Sequence, residues 1–169
     1  MLTQTHRDNI RCFLMSNSPI LDELGNLEEK PWKINSPVDK GRIAAFVQAG
    51  YVLPEDFQAV LAITDGIACG LGEQEIYGID LLLELAEVNR ETLREGVYAF
   101  GYFWGQTLYI DSSRISTGDY IFYEGMGHDN GVLLGMDFGE FFCKLLSTNF
   151  YPFWQTLPGK TEGLSYLIP

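Results

Sequence analysis

The segment GMGHDNG, residues 125–131, sets one of the chain's two histidines, His128, beside Asp129. An imidazole titrates near neutral pH, so this pair is the best-placed group in the chain for acid–base chemistry. Asp111, Asp119 and Glu124 lie near the ends of predicted strands, where paired carboxylates could serve glycosidic hydrolysis. Asp111, Glu124 and His128 together would make a small hydrolase site. Several features weigh against that reading. GMGHDNG joins two predicted strands and is rich in turn formers, which favours a solvated loop histidine. It lacks the G-x-G-x-x-G spacing of a phosphate loop, and no helix opens directly behind it. His6, the other histidine, falls on the polar face of a predicted opening helix. No G-x-S-x-G nucleophile motif is present, and Cys69 in IACGLG has no adjacent base, so it reads as a structural thiol. An acidic chain offers carboxylate pairs by chance. The expectation is a non-enzymatic protein with no cofactor.

The net charge is −12 over 169 residues. Between Glu55 and Glu140 sixteen acidic residues face only Arg90, Arg94 and Arg114, while the rest of the chain is close to neutral. Such a field repels nucleic acid and anionic lipid and attracts a basic partner. It also serves plain solubility, and composition alone leaves both readings open. Aromatics crowd YAFGYFWG and YIFYEG, with Tyr98, Phe100, Tyr102 and Trp104 on one strand parity and Ala99, Gly101 and Phe103 on the other. The negative surroundings exclude base stacking, so most of these rings belong to a core. Tyr102 and Trp104, near the turn, are left to serve an interface. Cys12, Cys69 and Cys143 are odd in number and widely spaced, which predicts three reduced thiols, with neither a disulfide nor a metal site. The N-terminal stretch lacks an apolar run of signal type and no segment approaches the ~20 apolar residues of a membrane span. A cytoplasmic protein is expected.

These side chains need elements to hold them. QTHRDNIRCFLM (4–15) has the apolar spacing of an opening helix, and residues 17–37 read as an irregular connector pinned by Trp32. Residues 39–49 form a second helix. In YVLPEDFQAVLAITDG (51–66), Pro54 suits a first helical position, Glu55 and Asp56 complement the positive helix end, and Gly66 supplies a left-handed C-cap. EIYGI (75–79) predicts a strand, and Asp80 a cap for the leucine-rich helix that follows. Strands are expected on both sides of a Trp104-Gly105-Gln106 turn, at 119–125 and at 131–135. Asp137 and Glu140 have the spacing of a capping box for a closing helix at 137–147. Strands clustered in the second half, without regular alternation with long helices, predict a single-domain α+β fold: one mixed, mostly antiparallel sheet over residues 75–135, packed on several helices. Phe57, Leu61, Phe141 and Leu145 should share its core.

The order of these features resembles the SUKH superfamily of Smi/Knr-type cell-wall regulators and bacterial immunity proteins. Its hallmark is a helix entered through Leu-Pro-x-x-Tyr/Phe and left through Asn-Gly or Asp-Gly; here Leu53, Pro54, Asp56, Phe57, Asp65 and Gly66 stand at those places. EIYGID resembles the family's first strand, YAFGYFWGQTLYID its central hairpin, and MDFGEFFCKLL its closing helix. Asp65 stands where Asn is commoner, and YFWGQT replaces a Gly/Asp-rich turn. The resemblance covers about residues 39–148, with 1–38 as an N-terminal helix and connector and 149–169 as a tail packed on the domain. It implies an immunity protein that occludes a cognate toxin, or an interaction scaffold of the same fold without a toxin partner. A basic toxin domain such as a nuclease would suit the acidic region. The toxin-facing carboxylates expected from their positions at turns and strand ends are Glu73, Glu75, Asp111, Asp119, Glu124 and Asp129, with Tyr102 and Trp104 as apolar anchors.

Overall fold

Carboxylates cap several helix starts in this chain, and helices and sheet share one core. The structure, a computed structural model, describes residues 4–15, 20–21, 27–28, 33–69, 73–124, 131–148, 150–156 and 163–164. The opening helix α1 is Gln4–Met15, followed by a two-residue ladder of β1 (Ile20–Leu21) with β2 (Leu27–Glu28). Strand β3 (Lys33–Ile34) leads to α2 (Lys40–Gln48), whose N-cap Asp39 accepts from the Gly41 N–H at 2.7 Å. Pro54 then starts α3 (Glu55–Leu61) from just outside the helix. Strands β4 (Ile67–Cys69) and β5 (Gln74–Ile76) follow, then α4 (Ile79–Val88). The central hairpin is β6 (Val97–Phe103) and β7 (Gln106–Asp111). After a 3-10 turn at Ser112–Thr117 come β8 (Ile121–Glu124) and β9 (Gly131–Leu133). The chain closes through α5 (Phe138–Ser147), a short 3-10 turn at Phe153–Thr156, and β10 (Gly163–Leu164).

Eight strands, β3 to β10, pair with their sequence neighbours in one sheet, and every described pairing is antiparallel. The fold is α+β, and the sheet is wider and more regular than the mixed 75–135 sheet expected. Segments expected to be additions extend it, because β3 and β10 form its two edges. Phe57, Leu61, Phe141 and Leu145 are fully buried in one core, together with Ile10 of α1 and Phe150 and Trp154 of the tail. No helix among the described residues is long and apolar enough to cross a membrane.

Three sequence expectations change in physical detail. The β6–β7 register shifts between Ala99 and Gly101, where a bulge inserts one residue and reverses the alternation beyond it. Phe100 and Phe103 therefore both enter the core, packing on Phe57 and on Trp154, while Tyr102 turns outward. Second, α3 ends at Leu61 with Ala62 in right-handed geometry, so Gly66 is not its C-cap. Gly66 has φ of +86° for another reason: a side chain there would lie 2.6 Å from the Gly78 nitrogen. Third, α4 begins earlier than expected, with Gly78 rather than Asp80 at the cap, and the capping carboxylate comes from Asp65. The expected capping box is present in part: the Glu140 N–H donates to Asp137 at 2.8 Å. Cys12 and Cys143 are free thiols; the Cys69 side chain and Trp32 lie outside the described residues.

Candidate functional site

The buried carboxylates Asp56 and Asp65 are committed to helix starts. Asp56 is buried in α3 and accepts one hydrogen bond from the Tyr120 hydroxyl, shared between its two oxygens at 2.6 and 2.7 Å. It accepts two more from the backbone N–H of Phe57 (3.0 Å) and Gly139 (2.7 Å). The Tyr120 oxygen in turn accepts from the Phe138 N–H at 2.9 Å. One carboxylate thus satisfies open N–H groups at the starts of two helices, α3 and α5, which favour negative charge at that end. Burial, and then Asp56, hold the Tyr120 hydroxyl far above its ordinary pKa, so it remains a donor. Asp65 works the same way at α4: it accepts from the Ile79 N–H at 2.7 Å and pairs with Arg42 at 2.7 Å. Arg42 continues to Asp80. Asp56 and Asp65 are joints between elements.

The expected partner-facing residues divide into three groups. Glu75 faces Tyr102 across the β5–β6 ladder and Tyr102 faces Thr107 across β6–β7, so they share the sheet face turned away from the helices. Glu73 follows by alternation, and Trp104 in the adjoining turn meets Tyr151 in a T-shaped contact at 5.7 Å while its backbone N–H donates to the Glu73 carbonyl. Glu124 comes to this face beside Tyr109; burial and then Glu124 push that phenol up to about 12. Glu73 and Glu124 are exposed, but Glu75, Tyr102 and Trp104 are half-buried, and burial raises the Glu75 carboxyl above its ordinary range against a lowering pull from Lys33.

Asp111 and Asp119 lie elsewhere, and Asp111 is a correction. It is 1% exposed, paired with Arg94 at 2.5 Å, and accepts from the Ser113 N–H and hydroxyl at 3.1 and 2.6 Å. A strand-ending carboxylate that must start a 3-10 turn is drawn inward, where it is closed to a partner. Asp119 is half-buried against Arg114 at 2.6 Å and Thr117, whose hydroxyl does most to lower its pKa. Asp129, and with it His128, lies outside the described residues. The hydrolase pair fares poorly in its described part. Leu108 faces Tyr123 and Ile110 faces Ile121, which puts Glu124 and Asp111 at opposite ends of that ladder. The offset is about four residues, or roughly 13 Å along the strands, beyond the roughly 5–9.5 Å of working carboxylate pairs. Among the described residues no cluster of His, Cys, Asp and Glu could hold a metal.

Residues that sequence reasoning passed over form the better exposed acidic surface. The outer side of α4 carries Asp80, Glu84 and Glu87, and the turns after it carry Glu91 and Glu95, all exposed. Glu84, Glu91 and Glu95 have no ion pair among the described residues; Glu87 is 3.5 Å from Arg90. Val88, 72% exposed, stands among them, while Ile79, Leu82 and Ala86 bury the opposite side. The signal was present as carboxylates at i, i+4 and i+7 opposite a leucine-rich face.

Comparison with family profiles, curated proteins and solved structures finds no match to this chain.

Proposed function

We propose that the chain is a non-enzymatic, SUKH-type protein-binding module: a cytoplasmic immunity protein that neutralises a basic toxin domain, such as a nuclease, by occluding it. The observation that carries this reading is the exposed acidic surface of α4 and the turns after it, where Glu84, Glu91 and Glu95 have no ion pair among the described residues and stand beside an exposed Val88. Carboxylates held free of internal cations keep their full field for a partner, and that field speeds encounter more than it deepens affinity. Val88 adds the apolar contact that a desolvated centre needs. The structural use of Asp56, Asp65 and Asp111 is consistent with the absence of catalytic work from them. Glu73 and Glu124 on the sheet face form a second, smaller exposed acidic group.

The test is a binding titration against a basic nuclease-type toxin domain, at low and high salt. Reversing Glu84, Glu91 and Glu95 to Lys together should slow association about tenfold at low salt, with the difference shrinking as salt screens it. Reversing Glu73 and Glu124 should have less effect. Association that ignores both salt and the α4 reversals would overturn the electrostatic reading.

A further inference from the structure

Among the described residues the large apolar side chains left exposed are Ile34, Val47, Val52 and Val88. Three of these four belong to one region. Val47 lies in the last turn of α2, Val52 follows the turn out of it, and Val88 ends α4. Arg90, just past α4, donates to the carbonyl of Ala49, the C-cap of α2, at 3.2 Å, so the ends of the two helices lie together. Single exposed apolar side chains are ordinary, whereas a group of them marks an interaction surface.

A cleft of about 330 Å³ opens in this region. Ala49, Ala86, Leu93 and Val97 line it, together with Tyr51, whose ring packs on Phe46 at 5.2 Å. A closed apolar cavity of about 150 Å³ accepts benzene, so this cleft has room for one leucine or phenylalanine side chain. The Tyr51 hydroxyl is closed to solvent beside Glu87 and Arg90 and offers an entering group no donor. The arginines of the cleft are paired from within: Arg90 stands 3.5 Å from Glu87, and Arg94 2.5 Å from Asp111. Acid is left over. Glu91 and Glu95 are exposed without an ion pair among the described residues, as is Glu84, one turn before Val88 on α4.

We infer that this cleft anchors the basic partner: one leucine- or phenylalanine-sized side chain enters it, and lysines or arginines on either side of that side chain lie over Glu91 and Glu95. The inference rests on the basic-partner reading and adds the place and chemistry of its apolar contact. An apolar group seated in a pocket and ringed by polar contacts is the arrangement of an interface hot spot, because the ring excludes water while the centre carries the affinity. A second copy of this chain does not suit the cleft. It would bring its own net charge of −12 against the same carboxylates.

The test titrates the intact chain with blocked heptapeptides at constant ionic strength, followed by methyl NMR. Two peptides carry lysines around a central phenylalanine or serine, and a third carries glutamates around phenylalanine. The phenylalanine–lysine peptide should bind about tenfold tighter than the serine one, the low end of what a pocket gains from one apolar side chain. Its shifts should centre on the Leu93 and Val97 methyls. Ala49→Leu puts a larger side chain on the cleft wall; it should bring the two lysine peptides to within about twofold of each other and leave the serine peptide's affinity as it was. Val88→Ser, at a position 72% exposed, should lower the preference for phenylalanine about threefold without shifting the melting temperature, which separates lost anchoring from lost fold. Equal affinity for the two lysine peptides, both above the glutamate one, overturns the anchor and leaves the basic-partner reading standing. A phenylalanine preference that survives Ala49→Leu places the contact elsewhere and overturns the anchor as well. Lysine peptides that bind no better than the glutamate peptide overturn both.

Discussion

At the scale of single residues, the Asp56–Tyr120 contact shows how a carboxylate in a recognisable motif can be entirely structural. Three donors converge on Asp56, and all are groups that are themselves buried or at helix starts. Its removal leaves those donors without partners, and the loss is of desolvation already incurred rather than of one bond. Asp56→Ala should therefore destabilise the fold by about 3 kcal/mol or more, and Tyr120→Phe by about 1–3 kcal/mol. Because the two residues share one network, the double variant should cost less than the sum of the two. Urea unfolding of the four proteins measures all of this. Strict additivity would mean that the carboxylate and the hydroxyl act separately, contrary to the geometry.

At the scale of elements, the helices and the central hairpin were legible because their signals are local. Apolar residues at helical spacing, Asp137 as a side-chain cap, and the Trp104-Gly105 turn with both φ values positive all work over a few residues. What was not legible depends on distant partners. Asp65 caps α4 from 14 residues away, and no local pattern could tell it from Asp80, which sits inside the helix. The bulge at Ala99–Gly101 was hidden in a run where alternate parities were both aromatic. Asp111 has the sequence position of a rim carboxylate, and only its pairing with Arg94, 17 residues away, draws it inward. Of the site, the acidic bias of the region was visible, but which carboxylates stay free was decided by these pairings. Gly66 tests the joint between elements directly. Gly66→Ala combines a left-handed φ with backbone 2.6 Å away, whereas Gly50→Ala, at φ of +97°, meets nothing within 4 Å. The Gly50 variant should lose about 1 kcal/mol, as a strained backbone position does, and the Gly66 variant at least about 2 kcal/mol more, since the α3–α4 connection must open. Thermal unfolding of both gives the comparison, and equal losses would show that the Gly66–Gly78 approach carries no weight.

At the scale of the whole molecule, the sequence resemblance divides the chain at residues 38 and 148, and the packing ignores that division. Ile10 of α1 is fully buried and α1 packs against α5. Phe150 and Trp154 are 1% exposed, and Trp154 stacks edge-on to Phe103 at 5.2 Å while its indole N–H donates to Gln106 at 2.9 Å. The Gln106 amide is itself buried at the hairpin turn, so the tail closes the open end of the central hairpin as well as filling space. Truncating one buried Trp or Phe typically destabilises by about 3–5 kcal/mol, and a domain of this size has only about 5–15 kcal/mol in hand. Removing Phe150, Phe153 and Trp154 together should exceed that margin. A fragment of residues 39–148 is therefore expected to lack a cooperative unfolding transition, while the full chain shows one. Within the full chain, Trp154→Phe should lower the urea midpoint without changing the transition's steepness, because the core stays one unit. Circular dichroism and urea titration of the fragment, the variant and the parent decide the matter. A fragment that unfolds cooperatively with the parent's midpoint would mean that 39–148 is complete in itself and that the flanking segments only cover it.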